Sequence, residues 1–170
     1  LGIGSEPARV RVTRIDTPSD VVKTTSEVID KIISLLGVDV VSTLAQVERE
    51  DLGGPVFEIE GDDAGLLIGR RGDTLKALQF LVKYLVSQKL DANVNILVDV
   101  EGYQDRRYQS LMSMARRVAQ RVADSGRPIT LEPMPPNERR IVHIALADHH
   151  RVTTESTGSG SSRQVVVQLK

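Results

Sequence analysis

The sequence contains no cysteine and no tryptophan, and aromatic residues make up only 3% of its 170 positions. Without cysteine there can be no disulfide, no thiolate metal site and no thiol nucleophile. That fits a reducing cytosol. With so few aromatics the core must be built from Leu, Ile, Val and Ala, and little is left for stacking on bases, so weak base discrimination is expected. No apolar run reaches membrane-spanning length and the opening "LGIGSEPARVRV" lacks the shape of a signal peptide, so no membrane insertion is expected. The chain does not open on Met and is expected to be part of something longer.

What is present suits a folded protein: 40% of residues are apolar, enough for one large or two small domains. The net charge of −1 hides an asymmetry. Residues 1–61 hold 6 Lys and Arg against 11 Asp and Glu, whereas residues 62–170 hold 16 against 12. A local excess of cations permits a nucleic-acid binder that the total would not suggest.

Along the chain, residues 1–17 read as an extended tail and linker. "SEVIDKIISLLG" puts Ile29, Ile32, Ile33 and Leu36 on one helical face, with Thr24 and Glu27 as a capping box and Gly37 as the stop. "VDVVSTLAQVE" and "PVFEIEG" read as a β-hairpin around "EDLGG", with Phe57 and Ile59 alternating against Glu58 and Glu60. A short helix near 63–68 leads into a turn and then a helix with Leu75, Leu78, Val82 and Leu85 inward. "ANVNILVDV" is a strand burying Val94, Ile96, Val98 and Val100. After only "EGY", a long helix turns Leu111, Ala115, Val118 and Val122 inward and carries Arg106, Arg107, Arg116, Arg117 and Arg121 on its other faces. A short strand in "RPITLEPMPP", a helix in "NERRIVHIALADHH" and two strands around the hairpin tip "TGSGSS" complete the chain. No repeat of fixed period is visible. The short connection predicts that the two halves pack as one body.

Two patterns bear on function. "LLIGRRG" places Arg70 and Arg71 between Gly69 and Gly72, with Leu67 and Ile68 before them. Glycines would let a polymer backbone approach closely, helix-start amides favour phosphate, and two guanidiniums offer forked donors. Leu67 and Ile68 would form an apolar rim for bases, and Lys76 and Lys83, seven apart, would extend the positive face. The plainer reading is a strain-relieving corner with solvated arginines. The second pattern is Arg139 and His143, four apart on a helix and therefore neighbours, able to grip a phosphate or sugar. An imidazole titrating near physiological pH would tighten that grip in mild acid. The alternative is an exposed pair on a helix whose Ile141, Ile144 and Ala145 or Leu146 face inward, and Arg140 could equally pair with an acid.

With these residues in view, 38–100 resembles a KH domain of the bacterial, type II arrangement, with "IGRRG" as its nucleic-acid loop. "ERRIVH" and the ending "TTESTGSGSSRQVVV", with Thr154, Ser156, Gly158 and Arg163, resemble the small domain named for its Arg-x-x-x-His signature. The two in this order resemble the bacterial Jag family, also called KhpB or SpoIIIJ-associated, whose N-terminal domain end is similar to "LGIGSEPARVRV". One departure is the neutral tip "GSGSS", where that family often carries acids and a proline. The resemblance implies an α+β fold: a tail at 1–17, a KH domain at 18–101 packed directly against an Arg-x-x-x-His domain at 102–170. It implies a cytoplasmic single-stranded RNA-binding protein, an RNA chaperone or post-transcriptional regulator linked to envelope growth, cell shape, division and sporulation. A smaller KH-domain protein would be its partner, with single-stranded DNA binding and oligomeric state left open. The implied nucleic-acid-binding residues are Ile68, Gly69, Arg70, Arg71, Gly72, Lys76, Lys83, Arg139 and His143. The rival reading is a protein-interaction module with incidental nucleic-acid affinity.

Catalytic patterns fail. "GLLIGRRG" lacks the Gly-Lys-Ser/Thr of a Walker loop, and Gly65, Gly69 and Gly72 lack dinucleotide-fingerprint spacing. Asp148, His149 and His150 lie in a polar loop without the helical spacing of a metal site. Asp62 and Asp63 read as a helix-start charge pair, Glu58 and Glu60 as a strand face, and no serine sits in a nucleophile elbow. No enzyme activity, cofactor or metal is expected.

Overall fold

The computed structural model describes residues 17–50 and 53–170, and the chain divides after Tyr103 into two compact units. The expected tail therefore lies outside the described residues except for Thr17, which already begins a helix.

In the first unit, α1 (Thr17–Leu36) precedes a hairpin of β1 (Val41–Arg49) and β2 (Gly54–Glu60). Then come α2 (Ala64–Ile68), a single 3-10 turn at Arg70–Gly72, α3 (Asp73–Leu90) and β3 (Leu97–Val100). The strands lie in the order β1-β2-β3, with β1 antiparallel and β3 parallel to β2. The parallel pair needs a crossover, and α2, the turn and α3 supply it. Val28 and Ile29 of α1, Leu75, Leu78, Val82 and Val86 of α3, and Phe57, Ile59, Val98 and Val100 of the sheet make one core. Each fully buried side chain of this size contributes about 1.5–3 kcal/mol.

Two helix readings need correction. Thr24 and Glu27 do not cap α1, which starts seven residues before Thr24. The core face is centred on Thr25, Val28 and Ile29, and Leu36 is exposed. The buried Thr25 hydroxyl donates to the Val21 carbonyl at 2.6 Å, so it leaves no unpaired polar group. Gly37 is the stop: at φ 65° its amide donates to Ile33 O at 3.0 Å. In α3, Val86 is fully buried where Leu85 is only half-buried.

The second unit has α4 (Tyr103–Ser125, its first residue in the first unit), β4 (Ile129–Thr130), α5 (Pro136–Leu146), β5 (Val152–Thr157) and β6 (Gln164–Leu169). Here β6 is central, antiparallel to both β4 and β5. Ala115, Ala119 and Val122 of α4, Val142 and Leu146 of α5, and Val152, Val165 and Val167 form its core. Ala119 and Ala123 take inward places beside the expected ones, and Val118 is half-buried. The inward face of α5 is Glu138, Val142 and Leu146, whereas Ile144 is 57% exposed. Of the inward residues in the alternative reading of this helix, Leu146 is buried, Ile141 and Ala145 are half-buried and Ile144 is exposed, while Glu138 takes an inward place. No described helix is long and apolar enough to cross a membrane.

Candidate nucleic-acid interface

The first candidate is the corner between α2 and α3. Ala64 and Leu67 anchor α2 in the core, and Gly69, at φ 68° and ψ −167°, breaks it. Arg71 (φ 57°, ψ 28°) and Gly72 (φ 79°, ψ 15°) then follow one another in the left-handed region before Asp73 opens α3. An arginine in that region costs about 1–2 kcal/mol relative to a right-handed one. Such strain at an exposed corner points to a functional demand on the residue. Arg70 is exposed and Arg71 half-buried.

The glycines also meet a packing requirement that the sequence did not reveal. A Cβ on Gly69 would overlap the Thr74 side chain, and one on Gly72 would meet the Tyr103 ring. Both positions are thus needed for the corner's own packing. Leu67 is 3% exposed and is no rim; the apolar side chain at the surface is Leu66, 63% exposed, beside half-buried Ile68. The two lysines are engaged: Lys76 meets Asp73 at 3.4 Å, and Lys83 donates to Asn95 Oδ1 at 3.4 Å. Asp73 puts a carboxylate at the helix entrance, beside the two guanidiniums of Arg70 and Arg71.

The second candidate lies in the other unit, where α5 meets β5. Pro135 precedes the helix, its carbonyl accepting the Arg139 amide at 3.0 Å, and Pro136 opens it, a position that needs no N–H. With Glu138 and Val142 inward, Arg139 and His143 fall on the adjacent, half-buried face. Arg139 donates through Nε to Met134 O at 3.3 Å and through Nη1 to Ser156 Oγ at 3.1 Å. His143 places Nδ1 2.6 Å from Thr154 Oγ1 and Nε2 2.9 Å from Ser156 Oγ. Burial, and secondarily the Arg139 charge, hold the imidazole below its ordinary value of 6.5.

These contacts settle how such a site can act. A neutral imidazole donates from one nitrogen and accepts at the other, whichever tautomer it adopts. One of the two hydroxyls then gives its hydrogen to the ring, and the other keeps its hydrogen for an outside acceptor. Arg139 retains Nη2 for the same purpose. The site is therefore a guanidinium with a hydroxyl donor, backed by a neutral histidine, and the expected gain from protonation in mild acid is opposed by the fold. Thr154 and Ser156 lie outside the set of binding residues expected from the sequence. Their two-residue spacing on a strand, which puts both hydroxyls on one face, is the signal that could have found them.

Elsewhere, His149 and His150 stack on each other at 5.1 Å, and His149 Nδ1 accepts the amides of Arg151 and Val152. That is turn architecture. No group of three metal-capable side chains occurs among the described residues.

A three-stranded sheet with a helix–Gly-Arg-Arg-Gly–helix crossover, and a second unit with Arg139 and His143 on a helix above a hairpin, define a two-domain protein of α+β class, a KH domain followed by an Arg-x-x-x-His domain. Residues 26–98 match the KH domain of KhpA/KhpB, and residues 109–169 match the Arg-x-x-x-His domain. The RNA-binding protein KhpB of Clostridium symbiosum is 37% identical over 171 residues, covering 100% of this chain and 74% of that protein. The Lactiplantibacillus plantarum and Bacillus subtilis proteins of the same name are 40% and 37% identical over 106 and 116 residues. The matches cover 62% and 67% of this chain, and 33% and 56% of those relatives. The chain belongs to the KhpB family of RNA-binding proteins, also called Jag.

Proposed function

We propose that this chain binds single-stranded RNA through both units, as a cytoplasmic RNA chaperone or post-transcriptional regulator tied to envelope growth, cell shape and division. The observation that carries this is the occurrence, one in each unit, of a cation-bearing corner built at a cost. Arg71 stands in the left-handed region at φ 57°, and Arg139 is held half-buried by Ser156 and Met134. Phosphates meet Arg70 and Arg71, and a base lies against Leu66 or Ile68. Arg139 with the Thr154 and Ser156 hydroxyls takes a further phosphate or 2′-hydroxyl, with His143 holding those hydroxyls in place. Lys76 and Lys83 act as secondary charges once released from Asp73 and Asn95. Names given to the relatives support RNA as the ligand.

A smaller KH-domain protein is the proposed partner. Phe80, 72% exposed, stacks on Tyr84 at 6.3 Å on the outer face of α3, beside exposed Leu81. An apolar patch of this kind suits a protein surface. It also keeps alive the second reading, a protein-interaction module with incidental RNA affinity.

Titration of a short RNA into isotope-labelled protein tests the first reading. Amide signals of Ile68–Lys76 and of the Arg139, His143, Thr154 and Ser156 region are expected to move at low salt. Arg70→Asp with Arg71→Asp is expected to abolish the first set of shifts. Unmoved signals in both regions, with partner capture that survives high salt, would hand the assignment to the second reading. A matched DNA oligonucleotide in the same assay measures RNA preference.

A further inference from the structure

The charge of the chain is split between its units. Residues 1–103 carry 11 Lys and Arg against 17 Asp and Glu, whereas residues 104–170 carry 11 against 6. An excess of cations thus sits in the unit whose candidate site uses just Arg139. The remainder includes a run on α4 that neither candidate site absorbs: Arg116, Arg117 and Arg121, all exposed. Successive helix residues turn by about 100°, so these three span about 140° of the helix circumference. Arg117 lies opposite fully buried Ala115 and Ala119, and therefore points away from the core.

Three features separate this face from an ordinary solvated one. First, Arg117 and Arg121 are four apart, a spacing at which like charges repel and disfavour the helix. Second, the nearby acid is not in a salt bridge with them. Asp124, three residues after Arg121, accepts from Gln120 Nε2 at 2.9 Å. Third, the described residues supply no ion pair to any of the three guanidiniums. A helix that tolerates repulsion and withholds its own counter-charge is set to receive an external anion.

We infer that Arg116, Arg117 and Arg121 form an additional phosphate-tracking face, contacting the sugar-phosphate backbone of the nucleic acid without reading bases. Arg117 and Arg121 are about 6 Å apart along the helix axis, comparable to the spacing of neighbouring phosphates on an extended strand. Ser110 and Ser113, on the same side of α4, add hydroxyl donors at the surface. Guanidiniums fork onto phosphate oxygens, and no aromatic on this face supplies a platform for bases. The first unit's negative balance leaves the second unit's cations, this face among them, as the source of long-range attraction for RNA. This inference rests on the RNA-binding reading and adds a site to it.

The test is labelled single-stranded RNA in anisotropy titrations across a KCl series. Wild type is compared with the triple change Arg116→Gln, Arg117→Gln, Arg121→Gln and with the matching triple Lys variant. The Gln variant is expected to bind about tenfold more weakly at low salt. The slope of log affinity against log salt should shrink by about two, from roughly 0.7 per lost phosphate contact on a single strand. The Lys variant should keep nearly the wild-type slope. Melting temperature should stay level or rise in the Gln variant because the repulsion is gone, which separates lost binding from lost folding. An unchanged affinity and slope would overturn the inference while leaving the two corners intact. So would unchanged RNA binding with loss of self-association in sedimentation, which would assign the face to an acidic protein surface. Failure of wild type to bind RNA at all would instead remove the parent reading.

Discussion

Arg107 on α4 grips Glu138 on α5 with two parallel hydrogen bonds, Nε to Oε1 at 3.2 Å and Nη2 to Oε2 at 2.8 Å. The Glu138 side chain is 5% exposed and that of Arg107 24%. This pair fixes the rotation of α5: with Glu138 turned inward, Arg139 and His143 must face β5. Removing one partner of such a pair takes away the bidentate counter-charge of the other, which is more costly than replacing both.

Glu138→Gln is therefore expected to destabilise the second unit by about 2–3 kcal/mol, below the fully buried case because Arg107 keeps some solvent. A urea denaturation midpoint reads this. Glu138→Leu with Arg107→Met should recover most of the loss. If the single change is neutral, the pair does not set the helix rotation.

Gly69→Ala and Gly72→Ala should each cost about 1–3 kcal/mol, since both sites combine a positive φ with a Cβ direction already occupied. Gly65→Ala, one helical turn earlier and with open space around its Cβ, should stabilise by about 0.5–1 kcal/mol. Thermal melts of the three variants give the comparison. The corner is misread if all three behave alike. Charge reversals at Arg70 and Arg71 are accordingly cleaner probes of binding than any glycine change.

His143 makes stability depend on pH in a stated direction. Its folded-state value lies below 6.5, so as pH falls the unfolded chain takes up the proton first. The contribution of the neutral imidazole is complete above 6.5 and is lost as pH drops below it, until the folded-state value is passed. Denaturation midpoints measured from about pH 8 to about pH 5 should decline more steeply in wild type than in His143→Gln. RNA affinity attributed to this corner should not rise over the same range. A rise would mean that the protonated ring touches the ligand.

Ser156→Ala removes the hydroxyl that joins Arg139 and His143. A loss of about 1–2 kcal/mol in stability is expected, because two partly buried groups lose a partner at once. Affinity for RNA should fall as well, and Ser156→Thr should restore part of both. Retained affinity would exclude the hydroxyl from the interface.

The amino-acid order by itself determined most of the elements and both candidate corners. Period-two alternation marks β2 and β3, three- and four-residue spacing marks α3, and the proline pair before "NERR" marks the start of α5. These are local properties, legible because each residue's environment follows from its near neighbours in the chain. What the glycines make room for, which face of α5 turns inward and what holds His143 were decided only in three dimensions. Tyr103 closes over Gly72, Arg107 reaches 31 positions to Glu138, and Ser156 meets Arg139 across 17. Contacts at such separations depend on how whole elements pack. Burial of a carboxylate at Glu138 runs against the usual exposure of glutamate, and the guanidinium that the fold brings to it supports it.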